Sequence, residues 1–326
     1  MASANTKQRM PPRASPANFV DPAAIMRIKN LPLRAKTIVE GFYNGLHRSP
    51  FHGFSVEFSE YRQYCPGDDP RYLDWRLFAR SDRYYIKRFE DETNRRCYLV
   101  VDLSRSMTFG SLDYTKTDYA RTLAATLGYY LTLQRDHVGL LTFDQELGDY
   151  LPARHRHGHL HQLMVFLERS PEGKGTDLLA PLEQIARLVA KRGLVVVISD
   201  LLAPVDRLEK HLGYLKSRGH EVLILRVLDP AEVDFTFDTS ATFRDLESSR
   251  ELFVDPAAAR GEYLKCFQQH ASEVQNACDR MGIDLVTMKT DVPLDVALVE
   301  LLAAQMRQGK ASSHRRQIDS QAGASP

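Results

Sequence analysis

Two uninterrupted apolar runs constrain what this chain can fold into. Tyr98–Val101 runs into Asp102 and then Leu-Ser-Arg-Ser, and Leu194–Ile198 runs through Ser199 into Asp200. A short, continuous apolar run reads as a strand buried on both faces, and such strands belong to parallel sheets covered by helices. In open α/β sheets, ligands bind beyond the C-terminal ends of the strands, and both runs carry an acid there. If the backbone stays extended past Val101, Asp102, Ser104 and Ser106 project to one side at i, i+2 and i+4. One carboxylate and two hydroxyls are hard donors, better suited to Mg²⁺ or Mn²⁺ than to zinc. Asp and Ser in this position also read as turn formers or as caps of a following helix.

Between and beyond the two runs, strand and helix patterns alternate. Helical spacing spans about 115–134, 159–168, 178–191, 205–217, 257–281 and 294–306. Strands fit 138–143, 221–228 and 283–288, with 147–151 a candidate sheet edge. This alternation predicts an α/β fold, a mostly parallel sheet with helices on both faces. Ahead of it, 33–46 has helical spacing, with Leu33, Ile38, Phe42 and Leu46 on one face, and Asp82–Phe89 is the clearest strand. The organisation read from this is a polar tail over 1–20, an N-terminal module over 21–96, the α/β domain over 97–308 and a second polar tail over 309–326. Both tails have the composition of disorder.

The acids and hydroxyls do not stand alone. Gly173-Lys-Gly-Thr-Asp177 is a glycine-flanked loop carrying Thr176 just ahead of a helix. Asp102, Ser104, Ser106, Thr176 and Asp200 together resemble the metal-ion-dependent adhesion site of von Willebrand factor A domains. That resemblance implies Mg²⁺ held by the hydroxyls, with one or both acids acting through water. It also implies an open position that takes an Asp or Glu from a partner protein. Neutral hydroxyl ligands leave the dication electrophilic, and Mg²⁺ keeps several exchangeable waters. A second segment, Tyr61-Arg-Gln-Tyr-Cys-Pro-Gly-Asp-Asp-Pro-Arg-Tyr-Leu-Asp-Trp75, is followed by Ala79-Arg80 and Lys87-Arg-Phe-Glu90. It resembles the signature of the bacterial "domain of unknown function 58" family, which sets such an element ahead of a von Willebrand A-like domain. Members of that family are associated with MoxR-type AAA+ ATPases. The resemblance therefore implies a chaperone-like or adaptor protein, with such an ATPase or its client as partner. The Pro66–Pro70 turn, with Arg71 paired to Asp74 and Trp75 as an apolar plug, reads as structural or as a docking surface. Arg105 and Met107 either contact a ligand or pack around the first loop.

Other function classes fail on particular residues. A haloacid-dehalogenase-type phosphatase needs a second Asp two places after the first, where this chain has Ser104. A phosphate loop ending at Gly173-Lys174 would need Gly at Glu168 and Ser or Thr at Gly175. Neither a GxGxxG fingerprint nor a GxSxG elbow is present. The expectation is a protein that is not an enzyme. A metal-dependent phosphoesterase and a scaffold with a vestigial site stand as the alternatives. A nucleic-acid binder would carry a basic excess, whereas 43 basic and 42 acidic residues give a net charge of +1. Cys65, Cys97, Cys266 and Cys278 form no CxxC pair, and Cys97 and Cys278 read as buried thiols. No secretory signal and no apolar run of membrane-spanning length is visible, which favours the cytoplasm. The run Arg154-His-Arg-His-Gly-His-Leu-His161 reads as a solvated loop, with a metal or phosphate patch as the alternative.

Overall fold

The computed structural model describes residues 21–48, 60–63, 85–88, 95–144, 147–169, 184, 187–189, 191–237, 239, 241–244 and 251–302. The Gly173–Asp177 loop with Thr176, the Pro66–Trp75 signature, most of the expected helix over 178–191 and the segments 1–20 and 309–326 lie outside the described residues.

In chain order the strands are β1 (Glu60–Gln63), β2 (Tyr85–Arg88), β3 (Arg96–Asp102), β4 (His137–Phe143), β5 (Leu147–Arg154), β6 (Leu194–Ser199), β7 (Glu221–Leu228), β8 (Ala241–Arg244), β9 (Glu251–Val254) and β10 (Asp284–Lys289). The helices are α1 (Pro22–Met26), α2 (Leu31–Arg48), α3 (Lys116–Leu133), α4 (His159–Glu168), α5 (Val205–Ser217), α6 (Pro230–Asp234), α7 (Pro256–Met281) and α8 over residues 295–302. β1 pairs with β2 and β8 with β9 as short antiparallel ladders.

The two apolar runs are neighbouring strands, β3 and β6, in parallel register from Cys97↔Leu194 to Val101↔Ile198. The main sheet has the order β10-β7-β6-β3-β4-β5, parallel except for β5, which closes one edge antiparallel to β4. Successive residues of β3 and β6 serve opposite faces, as the period of a strand requires. Leu99, Val101, Val196 and Ile198 join the core under α2, α3, α4 and α8. Tyr98, Val100, Val195 and Val197 join the core under α5 and α7. Both faces are covered, which is why these strands read as continuous apolar runs rather than alternating ones. Every residue of β6 is buried.

α3 starts where its sequence dictates. Thr115 and Asp118 form a capping box, Thr115 accepting from the Asp118 N–H at 3.1 Å and Asp118 accepting from the Thr115 N–H at 3.0 Å. α2 docks on α3, and its Leu31, Ala35, Ile38, Val39 and Phe42 share one core with the sheet. Leu33, expected on that face, is exposed. The helix buries positions 31, 35, 38, 39 and 42, a stripe of i, i+4 and i+7 spacing that leaves position 33 on the far side. Among the described residues, no helix is long and apolar enough to cross a membrane.

The chain leaves β3 through α3 to β4 on one side, while β6 lies on the other. The crossovers therefore diverge between β3 and β6, and the crevice this opens lies at the strand ends that carry Asp102 and Asp200.

Candidate functional site

Three adjacent strands end in the same local device. Asp102 at the end of β3, Asp200 after β6 and Asp229 after β7 each turn one carboxylate oxygen back to the backbone N–H two residues on. The Ser104, Leu202 and Ala231 N–H groups donate to them at 2.9, 3.2 and 2.8 Å. This is the turn chemistry that Asp favours, so the turn-forming role foreseen for Asp102 is real. In each case the second oxygen reaches across the sheet end. The Ser199 hydroxyl donates to Asp102 Oδ2 at 2.5 Å, and Lys116 Nζ donates to Asp200 Oδ2 at 2.9 Å. The Ser111 N–H donates to Asp229 Oδ2 at 2.9 Å. Asp102 thus ties the end of β3 to that of β6, and Asp200 and Asp229 tie the ends of β6 and β7 to α3 and the segment entering it.

The first loop continues into a single 3₁₀ turn over Arg105–Thr108. Ser104 precedes that turn but makes no side-chain cap bond to it. Instead, Ser104 Oγ lies 3.1 Å from Ser106 Oγ. Capping therefore does not account for Ser104. Met107 is fully buried in the core and holds the turn down, and its carbonyl accepts from the Thr117 hydroxyl at 2.9 Å. Arg105 is exposed. Past Asp200, buried Leu201 adopts a positive φ of 52°. A branched, non-glycine residue held there is strained, and the strain sits at the third loop of the site. The Leu201 N–H donates to Ser199 Oγ at 3.1 Å, which helps hold that geometry.

The electrostatics of the two carboxylates differ. Asp102 is wholly buried, and its pKa is pushed up to about 7, first by burial and then by Asp200, against the hydrogen bonds from Ser199 and Ser104. Asp200 carries a cation already. Lys116, with a fully buried side chain, bridges Asp200 Oδ2 at 2.9 Å and Glu232 Oε1 at 2.6 Å. Burial works against its ammonium, but the two carboxylates outweigh that and raise its pKa. Arg226, a buried charge in the apolar run of β7, donates from Nε to the Asp200 carbonyl at 3.0 Å. Its guanidinium also lies near His270 Nδ1, at 3.3 Å, and 5.7 Å from the centre of the Phe267 ring.

These residues fit a hard divalent ion. The 3.1 Å between the two serine oxygens is close to the roughly 3.0 Å that separates neighbouring ligands of an octahedron with Mg–O bonds of about 2.1 Å. Among the described residues no cation pairs with buried Asp102, and a bound cation would offset the burial and the Asp200 charge that raise its pKa. Each of its oxygens already accepts one bond and keeps a second lone pair. Of the five residues expected to meet, Asp102, Ser104, Ser106 and Asp200 gather at the end of the β3–β6 crevice. Thr176 lies outside the described residues.

Sequence reasoning missed Lys116, Ser199, Asp229 and Glu232. Thr115-x-x-Asp118 and Asp229-x-x-Glu232 were readable as capping boxes, but nothing local says that Lys116 and Glu232 meet. Arg226 had a signal, a single charge inside Val222–Leu228. The histidine run was misread in one place. His155, His157 and His161 are exposed, but His159 begins α4 with its ring buried and Nε2 2.6 Å from the Val138 carbonyl. Among the described residues, no group of three or more His, Cys, Asp or Glu side chains could hold a metal ion. Cys97 and Cys278 are buried free thiols, as expected.

Comparison with known proteins agrees with the motifs. Over 310 residues the chain is 28% identical to Uncharacterized protein Mb1516 of Mycobacterium bovis, covering 94% of this chain and 96% of that one. It is 29% identical over 157 residues to Uncharacterized protein MAV169 of Mycobacterium avium, covering 48% of this chain and 91% of that one. Among solved structures it is similar to the conserved hypothetical protein BatB from Bacteroides thetaiotaomicron, with a TM-score of 0.45, 15% identity and coverage of 65% of this chain and 99% of that one. It is also similar to the SpRpn10 VWA domain, with a TM-score of 0.40, 14% identity and coverage of 63% and 93%. Residues 60–273 match the family described as "Protein of unknown function DUF58". That span takes in both the β1–β2 segment and the strand-end acids and hydroxyls, and the chain belongs to this DUF58 family.

Proposed function

We propose that the chain is a cytosolic protein–protein interaction module that grips an acidic residue of a partner through a Mg²⁺-type centre. Asp102, Ser104 and Ser106 would hold the ion directly, joined by Thr176, with Asp200 acting through water. When bound, the ion supplies an electrophilic position that a partner Asp or Glu carboxylate can take in exchange for water. The chain's own residues do the rest. Asp102 supplies the negative charge, the serine hydroxyls add donors without neutralising the ion further, and the Asx turns fix the loop. The observation that carries this reading is the pairing of Ser104 Oγ and Ser106 Oγ at 3.1 Å beside buried Asp102, which no cation among the described residues pairs with. Asp200, one of the carboxylates that a phosphoesterase would draw on, is committed to Lys116, which favours grip over turnover. The partner class implied by the family resemblance is a MoxR-type AAA+ ATPase or a client that it remodels.

The test is affinity capture with wild type and Asp102→Ala in parallel, each in Mg²⁺ and in EDTA. The reading predicts a defined partner retained only by wild type in Mg²⁺. Capture of the same proteins in all four arms would reject the metal-bridged grip and leave a scaffold.

A further inference from the structure

The third-loop acid of this centre already has a cation of its own. Lys116 Nζ, inside a fully buried side chain, is fixed at 2.9 Å from Asp200 and 2.6 Å from Glu232. Each partner is itself anchored. Asp200 Oδ1 accepts from the Leu202 N–H at 3.2 Å, and Glu232 Oε2 accepts from the Asp229 N–H at 3.0 Å. Lys116 is held from the other side by its place at the first position of α3, behind the Thr115–Asp118 capping box. Three elements, α3, the end of β6 and α6, therefore converge on one ammonium that has little freedom to leave. Among the described residues Asp102 has no such cation, and its bonds come from the neutral Ser199 hydroxyl and the Ser104 N–H.

We propose that Lys116 sets how tightly this centre holds a divalent ion, by taking Asp200 as its own counter-ion and leaving Asp102, among the described residues, as the carboxylate of the centre without one. A carboxylate that hydrogen-bonds an ammonium is a poorer ligand for a second cation, and two positive charges at one acid repel each other. With Lys116 present, the centre holds its ion weakly and exchangeably, as a grip that must release its partner requires. Lys116 is thus a positioning residue that tunes the site through Asp200. The inference rests on the metal-centre reading above.

The experiment is Mn²⁺ titration followed by electron paramagnetic resonance of free Mn²⁺, on full-length wild type, Asp102→Ala, Lys116→Arg and Lys116→Met/Glu232→Gln. The Glu232→Gln change removes the second buried carboxylate, so that the double variant is not left with two unpaired acids. A further Asp200→Asn change in that background tests whether Asp200 has become a ligand. The proposal predicts that the double variant binds Mn²⁺ at least tenfold more tightly than wild type, that Lys116→Arg behaves as wild type, and that Asp200→Asn removes the gain. A purely structural role for Lys116 predicts equal or weaker binding in the double variant, and that result overturns the proposal while leaving the metal centre intact. Binding by the double variant alone would uphold the role of Lys116 and reject the metal reading for wild type. Binding by no variant would overturn both, and retention by Asp102→Ala would place the ion elsewhere and overturn both as well.

Discussion

Lys116 and His159 show how burial decides the behaviour of single residues here. Removing one partner of a buried ion pair strands the other, at a cost of about 3–5 kcal/mol. Lys116→Ala strands two acids, Asp200 and Glu232. Its free energy of unfolding in denaturant titration is expected to drop by at least about 3 kcal/mol, and a loss below 1 kcal/mol would show that the network is not formed. His159 and His220 give a pH prediction. Both rings are buried and donate through Nε2 to the Val138 and Val189 carbonyls, and Nδ1 has no hydrogen-bond partner among the described residues. Burial is the main cause that lowers both pKa values below the ordinary 6.5. Protonation is therefore easier in the unfolded chain. The stability contributed by the neutral rings is present above pH ~6.5 and lost as pH falls through the lower, folded-state values. Thermal melts between pH 7.5 and 5 should show that loss, and the His159→Gln/His220→Gln double variant should flatten it. An unchanged pH profile in the double variant would refute the assignment.

At the scale of elements, the sequence was most legible where burial is two-sided or a cap is explicit. α5 (Val205–Ser217) and β7 (Glu221–Leu228) have the bounds expected from spacing alone. Continuous apolar runs and a change of period mark them without tertiary help. α2 was legible as a helix and Ile38 and Phe42 as part of its buried face, but Leu33 was not placed correctly, because the buried stripe is set by α3, far along the chain. Phe42 packs edge-on to Tyr130 with ring centroids 6.2 Å apart. Phe42→Ala is expected to cost about 3–5 kcal/mol in chemical denaturation. A cost below about 1 kcal/mol would mean that α2 is a loosely attached flap. At Gly139, in β4, a Cβ would meet Tyr98 Cδ1 at 2.8 Å and the Ala153 backbone nitrogen at 3.0 Å. Gly139→Ala should therefore destabilise by about 1–3 kcal/mol, and a neutral result would show that the β4–β5 edge yields easily. The histidine run was misread because exposure along a turn is not uniform, and the first helical residue of α4 turns inward.

At the scale of the whole molecule, the strand order places the chain's acids. Parallel strands put all their C-terminal ends on one side of the sheet, and divergence of the crossovers between β3 and β6 opens a crevice at those ends. The location of the candidate site was legible for that reason, since Asp102 and Asp200 each close an apolar run. Its wiring was not legible. Ser199, Lys116 and Glu232 reach the centre from three separate elements, and only the packed sheet brings them together. Anomalous X-ray scattering from crystals of this chain soaked in Mn²⁺ decides whether Asp102, Ser104 and Ser106 form a divalent-ion centre. The expected result is an anomalous peak within bonding distance of the Ser104 and Ser106 hydroxyl oxygens, absent in Asp102→Ala crystals. A well-ordered first loop with no peak beside those hydroxyls, or a peak that persists there in Asp102→Ala, would contradict it.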